Sequence, residues 1–306
     1  MIAARFISGA LLCLAAASSG RAQSSDSSRV ASVRPDQQVI LVTGSTDGLG
    51  REVARRLAAG GAHVIVHGRN RERGEALVRE IAAEGKGSAR FYAADLASLE
   101  QVRALAAAVL RDYRRLDVLV NNAGIWLQQT PARQVSEDGH ELHFAVNYLA
   151  GYALTRLLLP RLVASAPARI VNVASGAQAP IDFADPMLEN RYSPSRAYAQ
   201  SKLAQVLFTV DLAAELEGTG VTVAALHPAT LMDTPMVREA GMPARSTVAE
   251  GAEAVLQLVT TPGIRSGDYY NGLRPARANA QAYDREARAQ LRQLSETLTG
   301  LHAPAR

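Results

Sequence analysis

The sequence has little cysteine, no dense basic run and no apolar stretch long enough for a membrane span. Its only cysteine among 306 residues is Cys13, which excludes an intrachain disulfide framework and a cysteine-cluster metal site, and we predict no bound metal. The formal net charge of +4 comes from scattered arginines without interleaved aromatic residues, so nucleic acid is not an expected partner. Apolar residues make up 48% and charged residues 20%, the ordinary balance of a globular protein with one large core or two modest ones.

The first residues have a composition of their own. An apolar run follows one arginine and gives way to small residues, a pattern typical of a secretory leader that is cut after Ala22. The run is shorter than the about 20 apolar residues that a membrane-spanning helix needs. We therefore predict a signal-peptide-like leader at residues 1–22, a flexible linker at residues 23–36 and one folded domain over residues 37–306.

Beyond the linker, short apolar runs alternate about six times with helical patterns. The runs are apolar throughout rather than at every second position, which indicates a parallel sheet that helices cover on both faces. No internal repeat or second composition zone interrupts the alternation, so we predict an α/β fold with a single doubly wound parallel sheet. The predicted strands are VILVTG (39–44), HVIVHG (63–68), RFYAADL (90–96), LDVLVNNAG (116–124), ARIVNVAS (168–175), VTVAALHP (221–228) and the short DYYNG (268–272).

Helices are predicted between successive strands, as a doubly wound sheet requires. Ser98, with Gln101 three residues on, has the spacing of a helix start at which each side chain caps the other residue's backbone. A long helical pattern runs from about Glu137 to Val163, and a later one carries Tyr198.

A glycine-rich turn, TGSTDGLG (43–50), joins the first predicted strand to the first helix. Gly44, Gly48 and Gly50 let the backbone turn tightly and approach a ligand, and the helix behind them offers free amides and a positive dipole end. The position after the first strand predicts a dinucleotide site, although the spacing is Gly-x-x-x-Gly-x-Gly rather than the Gly-x-Gly-x-x-Gly fingerprint. The loop residues predicted to contact the cofactor also include Ser45, Thr46, Asp47 and Leu49.

The second strand ends at His67-Gly68-Arg69-Asn70, where the adenosine ribose of a dinucleotide would lie. A site selective for NAD places a carboxylate there to bind the ribose 2′-hydroxyl. This chain has no acid at that position, and the Arg69 guanidinium can hold a 2′-phosphate through two parallel hydrogen bonds. We therefore predict NADP(H) as the cofactor in preference to NAD(H). The negative charge of Asp47 argues mildly against additional phosphate in the glycine turn.

The stretch AYAQSKLAQ (197–205) places Tyr198 and Lys202 four positions apart in a predicted helix, so both side chains share one face. A free phenol has a pKa of about 10 and is a poor base at neutral pH. A neighbouring ammonium favours the phenolate, and we predict that Lys202, reinforced by a cationic nicotinamide ring, brings the Tyr198 pKa toward neutrality. Such a tyrosine can exchange a proton with a hydroxyl or carbonyl oxygen.

Four segments, in this order on one alternating scaffold, resemble the short-chain dehydrogenase/reductase family: TGSTDGLG (43–50), NNAG (121–124), NVAS ending at Ser175, and YAQSK (198–202). The resemblance spans roughly residues 38–275, and HFAVNYLAGYALT (143–155) is similar to the branch that contains retinol dehydrogenases and related carbonyl reductases. The resemblance implies a Rossmann fold and hydride transfer between a nicotinamide cofactor and a carbonyl or alcohol carbon.

The same resemblance implies roles for individual residues. Tyr198 would be the acid/base residue, Lys202 its electrostatic partner, and Ser175 the residue that hydrogen-bonds the substrate oxygen. Asn147 would support a proton-relay water near the lysine. The remaining implied cofactor contacts are Asn121, Ala123 and Gly124 at the nicotinamide, Asp95 and Leu96 at the adenine, and Pro228 and Thr234 at the carboxamide. Ala229 replaces the usual glycine of that last loop, which leaves its shape open.

A proline-containing segment over residues 178–197 would border the substrate. A lipophilic ketone, aldehyde or alcohol is predicted from apolar side chains that could line a pocket: Trp126, Met187, Tyr192, Met232 and Met236. Two alternatives stay open, a non-catalytic dinucleotide-binding sensor or scaffold and a sugar-nucleotide epimerase or dehydratase. The intact Ser175, Tyr198 and Lys202 argue against the first, and the lack of Gly-x-x-Gly-x-x-Gly and of a longer C-terminal domain argues against the second.

The leader and the cofactor point to different compartments. An exported, unfolded chain would meet little NADPH, so the leader either anchors a cytoplasm-facing enzyme, reflects a misplaced start, or accompanies export with the cofactor already bound. We favour a cytoplasmic active site over an exported or periplasmic one, and any membrane contact would be through the leader. The family implies a homo-oligomer that associates through long helices such as 137–163 and 194–217.

Overall fold

A computed structural model describes Met1 and residues 33–302 of the chain. The leader predicted at residues 1–22 and most of the linker therefore lie outside the described residues. Within the described part of the chain, no helix is long and apolar enough to cross a membrane.

One eight-stranded sheet forms the centre of the fold, in the order β3-β2-β1-β4-β5-β6-β7-β8. The first seven strands are parallel, and β8 pairs antiparallel with β7 at the edge. This confirms the predicted doubly wound α/β sheet; the added β8 is a three-residue strand around a proline, too short to show a pattern. The strands are β1 (Val39–Val42), β2 (His63–Gly68), β3 (Ser88–Ala93), β4 (Val118–Asn121), β5 (Ala168–Val173), β6 (Val221–His227), β7 (Tyr269–Asn271) and β8 (Arg274–Ala276).

Helices connect the strands, and two non-α segments accompany them: a π-helical segment, Phe144–Leu149, and a 3₁₀ turn, Ala280–Tyr283. The α-helices are α1 (Gly48–Ala59), α2 (Arg71–Glu84), α3 (Leu99–Asp112), α4 (Ala150–Ala164), α5 (Pro194–Glu215), α6 (Pro235–Glu239), α7 (Val248–Thr260) and α8 (Arg285–Thr299).

Successive strand residues enter two different cores, one on each face of the sheet. Leu41 and Leu119 belong to a core formed with α3, α4, α5 and α8. Their neighbours Val42 and Val120 belong to a second core formed with α1, α2 and α7. Because both faces are covered, every position of the central strands is buried, which explains why these strands are apolar throughout.

The capping interaction predicted at the start of α3 is wrong. Ser98 precedes the helix, but its side chain makes no capping hydrogen bond. Gln101 instead accepts a hydrogen bond from the backbone amide of Asp95, at 2.8 Å. Gln101 therefore fixes the loop after β3 rather than the helix terminus.

The long helix also begins later than the predicted Glu137. The chain first makes a turn closed by an antiparallel bridge between Val135 and Glu141. The buried Glu141 carboxylate then accepts hydrogen bonds from the backbone amides of His143 (3.0 Å) and Phe144 (2.8 Å). A carboxylate that satisfies free amides stabilises a helix start, so the helical segment begins after Glu141.

The C-terminal helix α8 packs against α5 and against the π-helical segment that leads into α4. Tyr148 and Ser295 share a hydrogen bond of 2.6 Å, and Arg292 makes a two-pronged ion pair with Asp211 at 2.6 and 2.8 Å. Part of the outward surface of α5 and of the segment that leads into α4 is thus occupied by the same chain. Self-association through these two helices, which the family resemblance implied, would have to take place around α8.

Candidate active site

The glycine-rich turn after β1 is packed too tightly for side chains at two positions. Gly44 has φ +63°, a conformation that favours glycine. A Cβ added at Gly50 would lie 2.3 Å from the Gly44 carbonyl oxygen and 2.4 Å from Asn122 Nδ2. Asn122 occupies this position because its amide donates to the carbonyls of Thr43 (2.8 Å) and Gly44 (3.2 Å). The turn is therefore packed closely against the segment that follows β4, and side chains at Gly44 and Gly50 would not fit.

The other residues of this turn divide into anchors and a helix cap. Ser45 is fully buried, and its hydroxyl donates to the Val42 carbonyl at 2.7 Å, so its side chain fixes the turn to β1. Leu49 belongs to the core beneath α1. Thr46 packs against Gly68. A Cβ added at that glycine would lie only 2.7 Å from the Thr46 hydroxyl. Asp47 caps α1 by accepting from the Gly48 amide at 2.7 Å.

Two arginines and two carboxylates lie at the carboxyl end of β2. Arg69 is 70% exposed, and its guanidinium lies 3.5 Å from the Asp95 carboxylate. Arg73, in the first turn of α2, pairs with Asp47 at 2.5 Å. The charge of Asp47, which the sequence analysis set against additional phosphate, is thus compensated. This end of the sheet offers two exposed guanidinium groups, as binding of a phosphate requires.

The NNAG segment does not place its first asparagine in the cleft. The Asn121 amide donates to Thr155 (3.0 Å) and Asn172 (2.9 Å), inside the core between β4, β5 and α4. The role predicted for its side chain at the nicotinamide therefore needs correction, because β4 turns that side chain toward α4. The next residues do face the glycine turn, since the Ala123 amide donates to Thr43 Oγ1 at 3.0 Å.

The predicted catalytic residues meet at the carboxyl end of β5. Ser175 follows that strand, and its side chain lies within hydrogen-bonding reach of the Tyr198 phenol on α5. One turn later, Lys202 Nζ lies 5.8 Å from the centroid of the Tyr198 ring. A Cβ at Gly124 would lie only 3.4 Å from Lys202 Nζ, so this glycine keeps the space beside the ammonium open.

Without the cofactor, Tyr198 is not an acidic phenol; the lowering predicted beside a bound nicotinamide stays a prediction. Burial raises the pKa of Tyr198 above its usual value of 10, and the hydrogen bond with Ser175 opposes this rise. Burial also lowers the pKa of Lys202, to about 7. Both groups lose hydration in the same enclosed site, and each shift favours the neutral form. In the protein by itself Tyr198 is therefore a protonated phenol at neutral pH.

Asn147 lies in the π-helical segment, close to Lys202. Its side-chain oxygen accepts from the Ile125 amide (2.7 Å), and its amide donates to the Ile125 carbonyl (3.1 Å) and Ser201 Oγ (3.0 Å). A π-helical turn interrupts the regular helix ladder and is frequently found at functional sites. Asn147 and Lys202 both lie beside Gly124, and the role in proton relay that the resemblance implies for Asn147 stays a prediction.

An aromatic wall stands beside the catalytic tyrosine. The centroid of the Trp126 ring lies 5.4 Å from that of the Tyr198 ring. The buried His143 ring contacts the Tyr198 ring edge-on, with 6.4 Å between the ring centroids. His143 Nδ1 is 2.8 Å from the Glu141 carboxylate, and its Nε2 accepts from the Leu127 amide at 3.1 Å. These contacts fix the backbone that carries Trp126.

The remaining predicted residues are dispersed around the cleft. Thr234 is buried against the glycine turn, and a Cβ added at Gly48 would lie 3.3 Å from its methyl group. The Thr234 side chain also caps α6. Pro228, like Thr234, follows β6 and is buried. Leu96 lies in the core rather than at an open edge. Met232 packs against Gly251 of α7, and a Cβ added at that glycine would lie 2.2 Å from the Met232 sulfur. The Met232 side chain therefore contacts α7.

The segment after Ser175 is tied to the C-terminal region. Gln178 donates to the Ser175 carbonyl (2.8 Å) and accepts from the Asn279 amide (2.8 Å). Gln281 makes paired hydrogen bonds with the backbone of Ile181, at 2.7 and 3.0 Å. The expected substrate-bordering segment is therefore held in place by residues that precede α8.

Sequence reasoning missed several residues that build this site. Thr43 and Asn122 lie inside the motifs TGSTDGLG and NNAG, so the sequence carries a signal for both residues. Arg73 lay in the expected first turn of α2 and could have been considered with Arg69. Glu141 and His143 had no such signal, since their partners are reached only through the folded chain.

A comparison with protein families and curated proteins identifies relatives over most of the chain. The family model described as short chain dehydrogenase matches residues 38–244. Retinol dehydrogenase 12 from Homo sapiens is 37% identical over 278 residues, which covers 86% of this chain and 87% of that protein.

Solved structures with this architecture hold nicotinamide dinucleotides. A short chain dehydrogenase from Shigella flexneri, complexed with NADP, is 26% identical with a TM-score of 0.64, over 78% of this chain and 97% of that one. A 3-ketoacyl-(acyl-carrier-protein) reductase from Brucella melitensis, complexed with NADH, is 26% identical with a TM-score of 0.61, over 76% and 96% of the two chains.

Proposed function

This chain belongs to the short chain dehydrogenase family and is therefore an oxidoreductase of alcohol and carbonyl groups, and we propose that it uses NADP(H) with Tyr198 as its acid/base residue. The observation that carries the assignment is the meeting of Ser175, Tyr198 and Lys202 beside the glycine turn. A sensor or scaffold without catalysis would not need these three groups close together.

A protonated Tyr198 suits the carbonyl-reduction direction of the reaction. Because the buried Tyr198 keeps its proton, it is ready to donate that proton to a carbonyl oxygen. Ser175 holds the same oxygen in line, and Lys202 stabilises the charge that remains on Tyr198. The nicotinamide dinucleotide supplies the hydride in this direction and accepts it in alcohol oxidation.

The cleft fits a dinucleotide by its shape and charge. Gly44 and Gly50 leave the turn before α1 free of side chains, and the N-terminal end of α1 attracts an anion. Arg69 and Arg73 lie where β2 ends, and no unpaired acid in the described loop opposes a 2′-phosphate there. The NADP found in the Shigella flexneri structure supports the same choice of cofactor.

The proposed function is tested by following the absorbance of NADPH and NADH with a panel of ketones and aldehydes, and of NADP and NAD with alcohols. We expect NADPH-dependent reduction of lipophilic aldehydes or ketones, because the Trp126 ring forms one wall beside Tyr198. Equal or faster use of NADH would contradict the cofactor assignment. Tightly retained NAD without net oxidation would instead favour an epimerase or dehydratase.

Replacing Arg69 with alanine is expected to lower kcat/KM for NADPH by about 10- to 100-fold, since a charge-assisted pair with a phosphate is lost. The value for NADH should change little, because that cofactor has no 2′-phosphate. Arg71→Ala is the matched control: its side chain is also 70% exposed, but it pairs with Glu75 along α2. Steady-state kinetics with both cofactors check this result, and an equal loss for NADPH and NADH would remove Arg69 from the cofactor site.

The proposal extends to the context of the enzyme. Residues 1–22 would form a leader and residues 37–306 a single catalytic domain, with the active site facing the cytoplasm. The resemblance to human retinol dehydrogenase 12 supports a lipophilic alcohol or carbonyl substrate. A homo-oligomer would form through surfaces that α8 leaves free.

A further inference from the structure

A buried glutamine contacts the amine of Lys202. Lys202 and Gln205 are both 4% exposed and lie three positions apart on α5. Lys202 Nζ donates to Gln205 Oε1 at 2.9 Å and to the Val173 carbonyl of β5 at 3.0 Å. The two acceptors are neutral, and they use two of the three N–H groups that a lysine ammonium carries.

The surroundings of Lys202 leave one direction open. Tyr198 is the titratable group that faces it from α5, while β5 contributes the Val173 carbonyl and the π-helical segment contributes the neutral Asn147 side chain. On the remaining side Gly124 has no side chain, and a Cβ there would lie 3.4 Å from Nζ. The third N–H can therefore point past Gly124 into the cleft.

We propose that Gln205 is a positioning residue that holds the Lys202 ammonium beneath the Tyr198 ring and leaves one N–H for the bound dinucleotide. This inference rests on the proposed function. With no carboxylate facing Lys202 among the described residues, the oxygens of Gln205 and Val173 are what stabilise its charged form against burial. Of these two acceptors only the Gln205 oxygen belongs to a side chain and can be removed by substitution. Its removal should lower the fraction of Lys202 that is charged near neutral pH and change the orientation of the amine.

The chain allows a direct measurement, because it contains only two lysines, Lys86 and Lys202. Full-length protein labelled with ¹³C at the lysine Cε is titrated by NMR without cofactor, and Lys86→Arg assigns the two signals. Lys86 is exposed and serves as the internal control. The variants are Gln205→Met, which keeps the length without the oxygen, and Gln205→Glu, which adds a negative charge.

We expect Lys202 to titrate at about 7 in the unmodified protein. Gln205→Met should lower this value by about one unit, the effect of losing one hydrogen bond to a charged group, and Gln205→Glu should raise it. The pH dependence of kcat in NADPH-dependent reduction should shift in the same two directions, with KM for the carbonyl substrate unchanged.

Opposite shifts of the Lys202 signal in the two variants, with Lys86 unchanged, support the role of Gln205. An unchanged Lys202 signal in Gln205→Met, or shifts of the same sign in both variants, would overturn it, because a glutamine that only fills space has no effect on charge. Failure of the unmodified protein to turn over any substrate would instead contradict the proposed function, so the two failures are distinguishable.

Discussion

Tyr198→Phe is expected to lower kcat for NADPH-dependent carbonyl reduction by about 10²- to 10⁴-fold, the usual contribution of a positioned general acid. The substitution removes only the hydroxyl that the Ser175 side chain contacts. The ring that packs against Trp126 remains, so the shape of the cleft should persist. Stopped-flow or steady-state absorbance of NADPH measures the loss.

Two further measurements make this result specific. The Kd for NADPH, from its fluorescence, should change less than about threefold in Tyr198→Phe, because orientation and binding are retained. Tyr270→Phe is the matched control, since Tyr270 is a buried tyrosine of β7 that belongs to the core formed with α1, α2 and α7. Turnover by Tyr198→Phe at the unmodified rate would refute its assigned role.

Gly50→Ala is expected to weaken NADPH binding by about 10- to 100-fold, because the displaced turn no longer presents its backbone amides to the cofactor, and to lower the stability of the fold by the roughly 1–3 kcal/mol that overpacking usually costs. The added Cβ would lie 2.3 Å from the Gly44 carbonyl oxygen, and that oxygen belongs to the backbone of the turn itself. To relieve this overlap, either the turn must move away from β4 or the helix α1 must shift. Titration with NADPH measures the affinity, and a thermal scan should show a lower Tm.

The opposite end of the same helix offers the control. Gly60 follows α1 with φ −78°, and a Cβ there would approach no atom closer than the Leu57 carbonyl oxygen at 3.3 Å. Gly60→Ala should therefore leave NADPH affinity within about threefold of the unmodified value. Equal affinities for the Gly50 and Gly60 variants would show that the turn after β1 is not the dinucleotide site.

Much of the fold was readable from local patterns. Continuously apolar strands predicted the two-sided sheet because both of its faces are covered, and the glycine turn was correctly located between β1 and α1. The start of the long helix was predicted too early, since the turn before it depends on where the Glu141 carboxylate is buried. The short strand β8 was missed because its pairing with β7, rather than its own residues, makes it a strand.

The candidate site shows the same division. Spacing alone predicted that Tyr198 and Lys202 share a helix face, but it could not give the direction of the Tyr198 pKa, because burial comes from segments far along the chain. It also could not show that Asn121 faces a buried amide network while Asn122 supports the glycine turn.

By itself, then, the sequence determined the layered fold and the order of the chemical groups along it, because periodicity and spacing act over neighbouring residues. The tertiary structure decided which groups lose their hydration, which charges are paired and which side chains reach the cleft. Those properties depend on burial and on distances between separate elements, and both arise only when the sheet and its helices pack together.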